Sequence, residues 1–470
     1  MKSVDLSQSF LGPLDADDDE NLRKYYVQFG DFSALREKRK FLVVGAKGTG
    51  KSAIKKYLQV EREGKNEPAI MIDGSYSLPL AALQTTSPAE ITNKMKAFIT
   101  GAVIQNLLES AISSAAKAKL KAFRAEVPFI EWLLRPLTIK IPFIEYAISE
   151  LFPPEKRSAL MRVISPEVIT AIKSAMGRSD CWILVDDIDR VFTSDDESIS
   201  FNFIEGLILA ASDLNIRVFA GRVFVVLLLR SEVYDRLSPQ ASELDKKVLY
   251  VWELSWGSDE LRTFIARRVQ WALEADPELE DWVYWSYLFD VDSIESAHAL
   301  QDYVISRVIN GPRDLLLLVD YARKLAWKDR ARRITRGHIE ESEYKFGETK
   351  LKQLAANFSH HYPGLHDVVE RLFRRAKASY TPDELDEHIN EHLLTNPEAM
   401  KSFRDLHWLP RSTAFTILQI LYRVGIIGYQ EPRGRRYVFV LEDTAPEKRL
   451  AESSCLVVHP AFARFLQLQR

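Results

Sequence analysis

The rhythm of apolar positions changes several times along this chain, and each change marks an element. Phe41-Leu42-Val43-Val44 is an unbroken apolar run of strand length. The chain then passes through Gly45-Ala46-Lys47-Gly48-Thr49-Gly50-Lys51-Ser52 and resumes at helical spacing from Ala53 to Leu58. Ala69–Asp73 reads as a second strand, Cys181–Val185 as a third that ends on Asp186-Asp187, and Val223–Leu229 as a fourth that ends on Arg230-Ser231. Val248–Leu254 predicts a fifth. Runs that are apolar throughout and alternate with helices predict an α/β fold. Its parallel sheet should carry helices on both faces and a ligand at the carboxyl ends of the strands.

The stretches between and after these strands follow a helical period. Leu22, Tyr25, Tyr26 and Phe29 predict a short amphipathic helix before the first strand, behind the acidic run Asp15–Glu20, which reads as a solvated helix start. Tyr26 and Phe29 suit core packing, or contact with a base in a site built on the first loop. From about 88 to 176 a long helical insertion is expected, with Ile91, Met95, Phe98, Ile99, Val103 and Leu107 on one face. Its later part is broken by Pro128, Pro136, Pro142, Pro153 and Pro154. Phe129, Trp132, Leu133, Phe143 and Ile144 suit either a self-association surface or the core of a helical subdomain. Ser258 to Glu341 is helical again, interrupted by Asn310-Gly311-Pro312-Arg313-Asp314. Arg313 falls in the first turn of the next helix, where the dipole disfavours a cation, so a phosphate-facing role is expected for it.

The last part has another grammar. Ser412–Val424 is a helix with a broad apolar face, followed by Gly425–Tyr429, a basic turn at Gln430–Arg436 and a strand at Tyr437–Val440. Helix, strand, basic turn and strand outline a winged helix. Arg411, Arg423, Arg433, Arg435 and Arg436 would then meet DNA phosphates, unless the module docks on protein instead. The expected organisation is a helical segment at 1–40, a sheet core at 41–256, a helical lid at 257–350 and a winged-helix-like domain at 355–470.

Composition changes this picture little. At 470 residues the chain needs more than one core, and a net charge of −3 gives no global attraction to nucleic acid or membrane. The two cysteines, Cys181 and Cys455, lie far apart and fit a reduced, cytoplasmic setting. Met1–Phe10 lacks the apolar core of a signal peptide, and no apolar run is long enough to span a bilayer.

The chemistry concentrates in the first loop. Gly45 to Ser52 fits G-x-x-x-x-G-K-[ST] between a strand and a helix. Glycines let several backbone N–H groups face one anion, and the helix start adds its positive end. The backbone from Gly45 through Ala46, Lys47, Gly48, Thr49, Gly50, Lys51 and Ser52 to Ala53 should cradle the phosphates of ATP. Lys51 would reach the β- and γ-phosphates, and the Ser52 hydroxyl would hold Mg²⁺. The strand ending in Asp186-Asp187 supplies the complementary carboxylates: Asp186 toward Mg²⁺, Asp187 toward the attacking water. Arg230 would sense the γ-phosphate if its strand lies between the other two, and is otherwise a surface ion pair. Lys51, Asp187, Arg230 and Arg313 are thus the candidate catalytic groups.

With these anchors in view, the first 340 residues resemble an ASCE-type P-loop ATPase in the AAA+/STAND/KAP neighbourhood. Val185-Asp186-Asp187-Ile188-Asp189-Arg190 is similar to the KAP Walker B, the Arg230 strand to a STAND sensor, and Asn310–Asp314 to a lid sensor 2. The whole chain, through Val458-His459-Pro460, also resembles a poorly characterised family of bacterial P-loop ATPases with a C-terminal winged helix. Such families are often found beside DNA-processing or phage-defence genes. KAP proteins usually carry membrane helices in the insertion; residues 88–176 have none, so no membrane partner is expected. The resemblance implies an ATPase that switches state to control a DNA transaction or an effector protein, as a homo-oligomer. The alternative is an ATP-gated oligomeric scaffold with slow or no hydrolysis. No arginine finger acting in trans can be chosen among Arg190, Arg217 and Arg222.

Overall fold

A computed structural model of the chain describes residues 4–8, 11–73, 87–109, 118, 120–121, 164–188, 197–237, 245–359, 361–431, 437–440 and 447–469. The fold is α/β and divides into two compact units. The sheet unit comprises Ala16–Arg23 and Gln28–Leu254; the helical unit comprises Met1–Asp15, Lys24–Val27 and Ser255–Arg470.

The strands of the sheet unit are β1 (Leu42–Gly45), β2 (Ala69–Asp73), β3 (Cys181–Asp186), β4 (Val223–Arg230) and β5 (Val251–Glu253). They form one parallel sheet in the order β2-β3-β4-β1-β5. The apolar runs become strands because both faces are covered: β1 and β3 are buried at every position, and β4 at all but Arg230. The helix Lys51–Glu63 follows β1, with Ile54 and Leu58 buried.

The helix Pro88–Glu109 is buried on nearly every side and packs on Glu197–Asp213. A Cβ on Gly206 would come 2.6 Å from Ile91 Cγ2, so this glycine lets the two helices touch. The first part of the insertion is therefore core of the sheet unit; Phe129, Trp132, Leu133, Phe143 and Ile144 lie outside the described residues. Phe29 is core too, 5.4 Å from Trp252 between ring centres. The fifth strand is shorter than its apolar run suggests. Asp245–Tyr250 forms a 3₁₀ turn in which Val248 and Leu249 are exposed. As an edge strand beside β1 alone, β5 has only a short ladder to hold it straight.

The helical unit begins with the helices Ser258–Ala272, Asp281–Leu288, Ile294–Ile305, Pro312–Lys328 and Arg336–Asn357. Capping boxes at Ser293/Ser296 and Thr335/His338 start two of them. The chain continues through Leu365–Phe373, β6 (Ser379–Tyr380), Pro382–Ile389, Ala414–Arg423, β7 (Ile427–Gln430), β8 (Tyr437–Val438) and β9 (Leu456–Val458). These strands make an antiparallel sheet ordered β6-β9-β7-β8, of which β9 is an addition to the strands the sequence predicts. One continuous apolar core runs from Leu261 to Leu466, and Val4, Leu6 and Leu11 of the N-terminal arm are buried in it. Arg268 Nε donates to Leu11 O at 2.8 Å and Arg323 Nη1 to Leu6 O at 2.5 Å, so two buried guanidiniums hold the arm down. No helix of the described residues is long and apolar enough to cross a membrane.

Candidate functional site

β1 delivers the chain into its glycine loop with no room for other residues at the turn. A Cβ on Gly45 would lie 2.6 Å from Thr49 Oγ1 and 2.9 Å from Leu254 Cβ. Gly48 and Gly50 have φ of 96° and 99°, a region that favours glycine. Thr49 is buried and closes the loop, its Oγ1 donating to Ala46 O at 2.8 Å. Lys51 Nζ curls back to donate to Gly45 O at 2.6 Å and Ala46 O at 3.1 Å. The lysine thus sits across the mouth of its own loop, and its charge is held at the point where the sequence motif puts phosphate. Ala46, Lys47 and Ala53 flank this turn, with Lys47 exposed.

The second motif meets the first directly. Asp186, at the end of β3 and 6 % exposed, accepts from Ser52 Oγ through Oδ2 at 3.2 Å. Its Oδ1 accepts from the backbone N–H of Asp187 at 2.9 Å. Asp187 leaves the strand with φ of 55°, a left-handed backbone that Asp tolerates better than most residues. β4 lies between β1 and β3, the order the γ-phosphate role of Arg230 requires, and Arg230 is registered opposite Gly45. Ser52, Asp186 and the loop are therefore brought together at the carboxyl edge of the sheet, with Arg230 at the end of the adjoining strand.

Two residues at this edge escaped the sequence reading. Asp73 is registered opposite Asp186, so neighbouring strands both end on carboxylates. Lys55, one turn beyond Lys51, places Nζ 3.0 Å from Asp186 Oδ2 and 3.4 Å from Asp17 Oδ2. Burial works against its charge, but Asp186 and then Asp17 outweigh that and hold Lys55 above the usual lysine range. Lys56 Nζ adds a bond to Asp17 O at 2.6 Å. The acidic run is mostly exposed and leads into the helix Leu22–Tyr25, as expected of a solvated helix start, but Asp17 within it is also held by the loop helix. The signal for Lys55 was its helical spacing from Lys51 and Ser52, which turns all three to one side.

The donor set suits magnesium. A hydroxyl and a carboxylate oxygen, close together beside the glycine loop, are hard ligands that would leave most of the coordination sphere to other oxygen donors.

In the helical unit, the Asn310–Asp314 turn is built by local and long-range bonds together. Gly311 has φ of 114°, and Pro312 opens the helix. Asp314 is buried; its Oδ2 accepts from the N–H groups of Ile309 at 3.2 Å and Asn310 at 2.8 Å. Its Oδ1 accepts from buried Lys350 Nζ at 2.7 Å. Arg313 Nε donates to Leu14 O at 3.2 Å, and its Nη2 lies 3.9 Å from Asp15. A glycine shortly before β7 lies close to the residue just before this turn. Gly425, at φ of 81°, leaves 3.0 Å between a Cβ and Ile309 Cγ2. His459 is fully buried, its ring 4.3 Å from that of Phe439, with Nδ1 accepting from Ala461 N at 3.1 Å. Burial, with Arg307 and Lys350 nearby, pushes its pKa down to about 3.

Of the arginines assigned to DNA, Arg411 is exposed just before the helix Ala414–Arg423, and Arg423 is exposed at its end. Arg433, Arg435 and Arg436 lie outside the described residues. Cys181 is buried in β3, where burial pushes its thiol up to about 12.

Residues 259–355 match the family described as the FunZ-associated C-terminal helical domain. That segment spans the helices from Ser258 to Asn357. The chain is 24% identical over 490 residues to the putative transposon gamma-delta 80.3 kDa protein of Escherichia coli (strain K12), covering 98% of this chain and 67% of that one. Among solved structures, it is similar to Cdc6p from Pyrobaculum aerophilum, with 13% identity, 99% of each chain covered and a TM-score of 0.34. The Aeropyrum pernix ORC1 protein in complex with DNA is similar too, with 15% identity, 94% of this chain and 95% of that chain covered, and a TM-score of 0.38. At these scores the likeness is too loose to carry a statement about function.

Proposed function

We propose that this chain binds and hydrolyses ATP with Mg²⁺, and uses the nucleotide state as a switch over a DNA transaction or an effector partner. One observation carries the reading: Ser52 and Asp186 meet at 3.2 Å beside a closed glycine loop, at the carboxyl edge of a parallel sheet. Loop N–H groups and Lys51 would bind the phosphates, Lys51 exchanging its carbonyl partners for phosphate oxygens. Ser52 and Asp186 would hold Mg²⁺, which neutralises charge on the β- and γ-phosphates. Asp187 would orient and polarise the attacking water, and Arg230 would contact the γ-phosphate from the end of β4. Arg313 would respond to the same phosphate, and the turn that carries it would register the nucleotide state.

The DNA side of the reading rests on exposed Arg411 and Arg423, and suits a relative named for a transposon. A role in phage defence or DNA processing fits the same arrangement, with assembly into homo-oligomers in the cytoplasm.

A second reading, an ATP-gated scaffold that hydrolyses slowly or not at all and whose C-terminal module binds protein, is favoured by one feature. Asp187 is a short carboxylate on a left-handed backbone, where many ATPases place the longer Glu. Steady-state ATP turnover of wild type and Lys51→Ala, each with and without duplex DNA, separates the readings. Turnover that rises with DNA and vanishes in the variant supports the DNA-coupled switch. Negligible turnover with retained ATP binding favours the scaffold, and absence of ATP binding sinks both.

A further inference from the structure

The carboxylate assigned to magnesium is already fully engaged by the protein. Asp187 N–H takes Oδ1, while Ser52 Oγ and Lys55 Nζ share Oδ2 at 3.2 and 3.0 Å. The side chains of Lys55 and Asp186 are 15% and 8% exposed, so water screens this pair weakly. On its outer side Lys55 faces Asp17, which Lys56 anchors to the same helix through the Asp17 carbonyl. Lys55 therefore has a second carboxylate in reach, fixed independently of Asp186.

We infer that Lys55 is a positioning residue for the metal site. Its ammonium neutralises and orients Asp186 in the nucleotide-free protein, and it withdraws toward Asp17 when metal and nucleotide arrive together. This rests on reading the loop as an ATP site. The physical argument is one of charge. The Asp186 carboxylate, offset by an ammonium at 3.0 Å, offers less to a divalent cation that sheds its waters reluctantly. Phosphates add the negative charge that outcompetes the lysine. The site is thereby closed to bare metal and open to the metal–nucleotide pair, and the protein avoids a futile metal-loaded state.

The experiment titrates Mn²⁺, a paramagnetic stand-in for Mg²⁺, into the nucleotide-free full chain and reads free Mn²⁺ by electron paramagnetic resonance. Wild type should show no saturable site, and Lys55→Gln should gain one, with affinity raised about tenfold or more. Lys55→Arg should behave as wild type, and Lys55→Gln combined with Asp186→Asn should lose the gained site. A saturable Mn²⁺ site in nucleotide-free wild type overturns the inference without any variant. So does a folded Lys55→Gln that binds Mn²⁺ no better than wild type. Binding of a fluorescent ATP analogue, measured alongside, isolates the underlying reading. If wild type fails to bind it, the ATP site is wrong; if it binds while the Mn²⁺ results go against Lys55, only the lysine's role falls.

Discussion

Two glycine-bearing turns in this molecule each open a helix and carry a cation expected to meet phosphate, yet only one of them leans on distant parts of the chain. The Gly45–Ser52 loop is closed by its own residues: Thr49 and Lys51 bond to carbonyls at Gly45 and Ala46. The Asn310–Asp314 turn is also closed locally, by Asp314 on the N–H groups of Ile309 and Asn310, but it leans in addition on residues far along the chain, with Lys350 under Asp314 and the Leu14 carbonyl on Arg313. A locally closed loop is a nearly self-sufficient binding device. A turn with remote supports could act as a reporter, because whatever disturbs those supports disturbs the cation it carries.

The sharpest way to break the contrast is Lys350→Met. It leaves Asp314 charged and buried without its partner, and should cost about 3–5 kcal/mol. Urea unfolding and hydrogen exchange across 259–355 should register the loss, while binding of a fluorescent ATP analogue survives in the protein that remains folded. If the helical segment were untouched, the remote support would be dispensable. Lys51→Ala is the converse: it should weaken ATP binding by about 2 kcal/mol or more, a charged hydrogen bond's worth, and leave the unfolding midpoint of the helical unit in place.

His459 supplies a gentler lever on the second turn. It is neutral in the fold, with its pKa near 3 against 6.5 for an ordinary histidine. Between those values the unfolded chain binds the extra proton. The stability it contributes is therefore intact above about pH 6.5 and drains as the pH falls toward 3, by up to about 1.4 kcal/mol per pH unit. Urea midpoints at pH 5 and 7 should converge in His459→Gln relative to wild type. Arg313→Ala should weaken, on the order of tenfold, the protection from proteolysis that ATP gives the helical segment. Unchanged protection would remove Arg313 from phosphate sensing. The smallest effect belongs to Arg411→Ala, which should lower the salt dependence of DNA binding by about one phosphate contact.

Legibility followed the same division. The glycine loop, Ser52 and the Asp186 strand were readable because their chemistry is written in consecutive residues, and the interposed β4 was readable as an apolar run ending in arginine. What stayed hidden depends on pairs distant in sequence. Lys55 meets Asp186 across 131 positions of chain, and Asp17 looked like part of an ordinary acidic run. β9 is three residues long and finds its place only between β6 and β7. Val248 and Leu249 misled in the other direction: an apolar pair reads as strand, but both are exposed and stay outside the sheet.

The N-terminal arm bears on how the protein can be divided. Residues Met1–Asp15 fold with the half that starts at Ser255, while Ala16–Arg23 already belong to the other half. A cut in the gene near position 255 would yield an amino-terminal fragment trailing Val4, Leu6 and Leu11 as sticky, homeless side chains. The carboxy-terminal fragment would keep Arg268 and Arg323 with no carbonyls to hold. Neither piece would be a clean module. A split that respects the physics must carry the arm over to the second fragment.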